Sequence, residues 1–158
     1  MNDHILERAA NVPATGPLAE ALRTRSRLME LTQASHDAAL RPATPGSISF
    51  TERAALAARM VQICKDSALA DHYIGLAGAT VPAWATPDTR ADDARLDALI
   101  AYADKITLSP RDATPEDIDA LRAAGIDEGD IVRLAGLVAF VNYQLRVAKV
   151  LRAMGGTR

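Results

Sequence analysis

Residues 128–153 read "EGDIVRLAGLVAFVNYQLRVAKVLRA", and the period of this run decides the fold. Apolar side chains recur at helical spacing at Ile131, Leu134, Ala135, Val138 and Val141. A second set, Leu137, Phe140, Val147 and Val150, lies on another side of the same helix. Two apolar sides mean burial nearly all round. This is either the central helix of a helical domain or a helix whose second face meets another subunit. Asp127 is placed to cap it, and Gly155 and Gly156 end it.

The same grammar extends outward. Residues 92–107 carry Leu96, Leu99, Ile100, Ala103 and Ile106 at helical spacing. Thr114 then caps a short helix over 115–124, with Pro115 in the first position and Gly125 closing it. Upstream, Ser49 with Glu52 three residues on forms a capping box. It opens a helix through "ERAALAARMVQIC" that bends or restarts around "CKDSALADHYIGLAGA". Residues 80–90 read as a loop. A helix over 17–40 precedes "RPATPGS", and a short one covers 3–11. No strand-like alternation of useful length and no internal repeat occur. The expectation is one all-α domain of five or six helices over 1–158. It divides into a lead-in (1–46), a central helical pair (47–79) and a C-terminal half (91–155).

The chain has 158 residues, long enough for one domain with a real core. Hydrophobic residues make up 49% but aromatics only 4%, so alanine and aliphatic side chains must build that core. The formal charge of −2 is spread along the chain without a basic stripe, which argues against nucleic acid. The single cysteine can form neither an internal disulfide nor a thiolate zinc site. His4, His36 and His72 have no partner four residues away, so no metal is expected, and no cofactor motif is present. The glycines do not form a phosphate loop, and Ser47, Ser49 and Ser67 lack a nucleophile-elbow context. The opening residues do not read as a signal peptide, and no apolar run approaches the ~20 residues of a membrane span. The cytoplasm is the expected location.

Residues 96–155 resemble the C-terminal half of the carboxymuconolactone decarboxylase and AhpD-like (alkylhydroperoxidase-D-like, peroxidase-related) superfamily. The likeness rests on a helix followed by a Thr-x-x-Asp/Glu cap and the short "ALRAAG" helix, and on the acidic "DEGDI" opening a long helix. Within that helix "AFVNYQLRVA" is similar to a Phe-Asn-aromatic-x-Asn-Arg run, with Asn142, Tyr143 and Arg146 in matching places and Leu145 replacing the second Asn. "ISFTERAALAARMV" resembles the family's entry to its active-site helix, and "GPLAEALRTRSRLMELTQASHDAAL" the lead-in of a cysteine-poor branch. The resemblance implies an all-helical subunit that assembles into trimers or hexamers.

It also implies where chemistry would sit. Peroxide-reducing members use Cys-x-x-Cys, a His four residues later and a Glu twelve residues before the first Cys. One thiolate is activated by a nearby base and resolved by a second thiol one turn away. In the ungapped register, which keeps the residues around Arg59 in phase, these four positions fall on Ala54, Asp66, Leu69 and Tyr73. In a register centred on the cysteine, Glu52 stands twelve residues before Cys64, Ser67 takes the second Cys position and Asp71 the His position. On a continuous helix the two registers differ by about 200°. The ungapped one is preferred, and it sets Cys64 off the reactive position and out of the pocket.

Neither register holds a resolving cysteine, so a two-thiol cycle within one subunit is excluded. Three readings stay open. The first keeps the fold without thiol peroxidase chemistry and serves as a small-organic-ligand-binding protein or as partner to a cysteine-bearing AhpD-like relative. The second is a one-cysteine hydroperoxidase using Cys64, with His72 or Glu52 nearby. The third is a lactone decarboxylase-like acid/base enzyme using His72, Tyr73 and Glu52. Each residue has a plainer role beside the catalytic one. Cys64 reads as a small buried hydrophobe, His72 as an exposed or capped helix histidine, Glu52 as half of a capping box and Tyr73 as a core tyrosine. Asn142 and Arg146, one turn apart, are candidates for an anion-binding pair or for tying helices or subunits together.

Overall fold

The computed structural model describes residues 4–156. Eight helices run in the order α1 (Ile5–Ala9), α2 (Pro17–Arg23), α3 (Ser26–Leu40), α4 (Phe50–Ile63), α5 (Ser67–Ala77), α6 (Ala94–Leu108), α7 (Pro115–Ala123) and α8 (Glu128–Gly155). Short 3-10 turns at Ala83–Ala85 and Pro110–Asp112 complete the set, and no strand occurs among the described residues. The all-α expectation holds, but five or six helices was too few. The helix expected over 17–40 breaks at Thr24 and Arg25 into α2 and α3. Where the next helix was expected to bend or restart, it restarts, as the separate α4 and α5. Residue 3 of the expected first helix lies outside the described residues.

Local chemistry sets the helix ends. Ser49 Oγ accepts from Glu52 N while the Glu52 carboxylate takes Ser49 N at 2.7 Å, the reciprocal box that opens α4. Asp127 accepts from Asp130 N at 2.8 Å and opens α8. Gly125 (φ 81°) and Gly156 (φ 73°) take the left-handed conformation that releases the chain from α7 and α8.

Helix α8 is the central element. Ile131, Leu134, Leu137, Val138, Val141 and Ala148 are buried against α1, α3, α4 and α6. Against the expectation that no apolar run is long enough, α8 could cross a membrane by length and composition alone, and 44% of its most apolar window is buried against the rest of the fold. Helix α4 lies beside it, with Ala54 to Ala58, Met60 and Val61 all buried. Its alanines leave little side-chain bulk between neighbouring backbones, which suits a core poor in aromatics.

Two buried arginines fix the loops around α4. Arg53, 1% exposed, donates to the carbonyls of Ile48, Ala39 and Pro45, holding the turn that enters the helix. Arg59 forks onto Asp104 of α6 at 2.8 and 2.9 Å and donates to the carbonyls of Trp84, Thr86 and Thr89. The loop after α5 is thereby clamped beneath α4. These partners matter because an unpaired cation in the core would carry a large desolvation cost.

Candidate functional site

The chain leaves α4 at the Cys64 cap, turns through Lys65 in the left-handed region (φ 59°) and re-enters a helix at Ser67. Asp66 makes this corner. Its carboxylate accepts from Leu69 N at 3.2 Å as the N-cap of α5 and takes both Nη atoms of Arg152 at 2.7 and 2.9 Å. Arg152 also donates to Ala9 O, so one guanidinium bolts the corner to the end of α8 and to α1.

This corner removes the premise of the two competing registers. They differ by 200° only on a continuous helix, and the helix stops between residues 63 and 67. Cys64 and Asp66 therefore line the same cleft, of about 380 Å³, together with Lys65, Thr107, Asn142, Leu145, Arg146, Lys149 and Arg152. The expectations that Cys64 is buried, and that it does not face the pocket, are both overturned. The thiol is exposed, because it sits at a chain corner rather than on a helix face.

The cleft has an uneven charge. Asn142 Nδ2 donates to Thr107 Oγ1 at 3.3 Å and to Val138 O at 3.0 Å, which ties α8 to α6. Arg146 spends one Nη on Asn142 O at 2.9 Å. The cationic ends of Lys65 and Lys149 make no ion pair with the described residues, and the one acid of the cleft, Asp66, is held by Arg152. Partial burial and Asp66 push the Cys64 thiol above its ordinary pKa, burial being the larger cause, while Arg146 and Lys149 oppose them. Its place at the C-terminal end of α4 also disfavours a thiolate, since the helix dipole is negative there.

The other candidate catalytic residues lie elsewhere. Glu52, at the start of α4, is about 18 Å along the helix from Cys64 at 1.5 Å per residue. It is engaged by Ser49 and by Arg95 Nη1 at 2.9 Å. His72 is neither exposed nor a cap: it is half-buried, and its Nε2 lies 2.9 Å from Nε2 of His36 on α3. Burial and the neighbouring His36 and Arg8 lower its pKa to about 4. His36 Nδ1 is in turn 2.9 Å from Asp37 Oδ1. With His36 Nδ1–H donating to that carboxylate, His36 Nε2 accepts and His72 Nε2–H donates, one proton between the rings. Tyr73 is fully buried, and its hydroxyl donates to Gln144 Oε1, the core role expected of it. Burial raises its pKa far above the usual phenol range.

The structure thus brings Cys64, Asn142 and Arg146 together and sets Glu52, His72 and Tyr73 apart from them. The sequence reading missed Lys65, Lys149, Thr107 and the pairing of His36 with His72. Residues 142, 145, 146, 149 and 152 form an i, i+3, i+4 stripe visible in the sequence. The two histidines are 36 residues apart, and no local period links them. Among the described residues no group of three or more His, Cys, Asp or Glu side chains is placed to hold a metal ion.

No protein-family model and no curated protein matches the sequence. Solved structures do match the fold. One is an uncharacterized peroxidase-related protein from Silicibacter sp. TM1040, with TM-score 0.67 and 18% identity over 96% of this chain and 91% of that one. Another, described as an alkylhydroperoxidase AhpD core and an uncharacterized peroxidase-related protein from Ralstonia eutropha JMP134, has TM-score 0.60 and 23% identity over 87% of this chain and 73% of that one. With eight helices in this arrangement and matches spanning nearly the whole chain, the protein has the AhpD-like fold.

Proposed function

We propose that this protein is a small-ligand-binding member of the AhpD-like fold that has lost two-thiol peroxide reduction. Its ligand site is the cleft between the α4–α5 corner and α8. The observation that carries the reading is the setting of Cys64. The thiol opens into a cleft of metabolite size, yet neither His72 nor Glu52 lines it, its one carboxylate is held by Arg152, and the sequence has no second cysteine. A peroxidatic cysteine needs a thiolate, whereas burial and Asp66 raise the pKa of this thiol against the pull of Arg146 and Lys149, and the helix end disfavours its charge. His72 is turned to His36, and Glu52 caps its own helix.

The one-cysteine peroxidase reading therefore lacks its base. The acid/base reading is left with groups already engaged: Tyr73 is sealed in the core on Gln144, His72 is turned to His36, and Glu52 is held by Ser49 and Arg95. The protein acts as a homo-oligomer, a trimer or hexamer, in which the exposed Leu28 and Leu31 of α3 and Val150 and Met154 of α8 find cover.

The test joins two measurements on the intact protein: organic hydroperoxide consumption with an external dithiol, and thermal-shift screening with small organic molecules. The reading expects no Cys64-dependent consumption and at least one compound whose stabilisation is lost in Arg146→Met. Peroxide turnover abolished by Cys64→Ser would overturn it.

A further inference from the structure

The cleft's chemistry narrows the ligand class, on the reading that this cleft is the binding site. Its walls differ in kind. On the α8 side, Arg146 and Lys149 stand one turn apart, and Lys65 faces them from the corner. Arg146 uses only one Nη within the protein, so its Nε and second Nη have no partner among the described residues. Neither lysine ammonium makes an ion pair with the described residues. Asp66 cannot neutralise this group, since its carboxylate is already shared between Arg152 and the first turn of α5. A chain of net charge −2 thus gathers around one small opening three cations that make no ion pair with the described residues.

The rest of the cleft is neutral. Leu145 and the Cys64 side chain supply apolar surface, while Thr107 and Asn142 supply a hydroxyl and an amide oxygen. Asn142 is 8% and Thr107 8% exposed, so these groups are held by the fold rather than by solvent. A planar guanidinium fork matches a carboxylate in two-point contact, and the ammonium groups add attraction without direction. A bare inorganic anion would leave the apolar part unfilled, and a neutral ligand would leave the cations unanswered.

We propose that the cleft binds a small organic carboxylate, its carboxylate on Arg146 and Lys149 and its body against Leu145 and Cys64.

Cys64 supplies a built-in reporter. The wild-type protein is alkylated with a neutral maleimide and followed by intact mass. Competing additions are short aliphatic and aromatic mono- and dicarboxylates, their methyl esters and inorganic phosphate, at matched ionic strength. The proposal expects at least one carboxylate to slow the modification more than fivefold and saturably, its ester to give no protection, and Arg146→Met to remove the protection while Cys64 still reacts. Arg146 is exposed, so this variant keeps the fold. Protection by esters equal to that by the acids would overturn the carboxylate class while leaving a ligand-binding cleft. Protection by phosphate equal to that by the acids would show a general anion site and overturn the organic part. No protection by any compound would overturn both the class and the cleft as a binding site.

Discussion

At the scale of single residues, the structure separates what a thiol is from what it faces. Cys64 is reachable, yet its surroundings favour the protonated form. Its alkylation rate should rise with pH through a midpoint above that of an ordinary cysteine. Arg146→Met should move the midpoint higher still, since Arg146 is the chief group holding it down. A pH–rate profile by intact mass checks both. His72 makes a second titration prediction. Its folded pKa, about 4, lies below the unfolded value of 6.5, so between these the unfolded chain binds the extra proton. Stability from this group is complete above pH 6.5 and is lost as pH falls towards 4. The loss is about 1 kcal/mol once solvent screening of the half-exposed ring is allowed for. Urea midpoints between pH 7 and 4.5 should show this slope in the wild type and less of it in His72→Gln.

At the scale of elements, the corner between α4 and α5 governs the site. Asp66→Ala removes an N-cap and leaves Arg152 without its carboxylate, a cost of about 2–4 kcal/mol in chemical denaturation. Arg59→Ala strands Asp104 and frees three carbonyls of the loop after α5, a cost of about 3–5 kcal/mol. The capping signals were legible in the sequence: Ser49 with Glu52, Pro115 and Asp127 all stand where their helices begin. A bend or restart near Cys64 was legible too, but not the form of the corner. Residues "CKD" hold no proline or glycine, and the left-handed turn falls on Lys65, which no composition rule marks. Asp66 caps α5 through Leu69 N, and Arg152, 86 residues away, pairs with the same carboxylate. A reading that assumed a continuous helix therefore set residues 64 and 66 on opposite faces, where the structure sets them side by side. The break between α2 and α3 was hidden in the same way, since residues 24 and 25 carry no helix breaker.

At the scale of the whole molecule, the twin apolar sides of the last helix were the most informative feature, and the central-helix reading of them is the one the packing supports. One side of α8 is core, while Val132, Tyr143, Val150 and Met154 remain exposed. With Leu28 and Leu31 of α3, the residues Val150 and Met154 give the proposed assembly an apolar contact. Light scattering should show a trimer or hexamer in the wild type, and Leu31→Lys with Val150→Lys should shift it towards smaller species. The folded helix content should stay unchanged, since neither side chain is in the core. The central claim, that the fold has been kept while its thiol chemistry has gone, is tested most directly by one measurement. The protein is mixed with one equivalent of an organic hydroperoxide, and its intact mass and the remaining peroxide are followed together. The account predicts an unmodified Cys64 thiol and peroxide loss no faster than in Cys64→Ser. A stoichiometric gain of one oxygen at Cys64, matched by peroxide consumption, would contradict it.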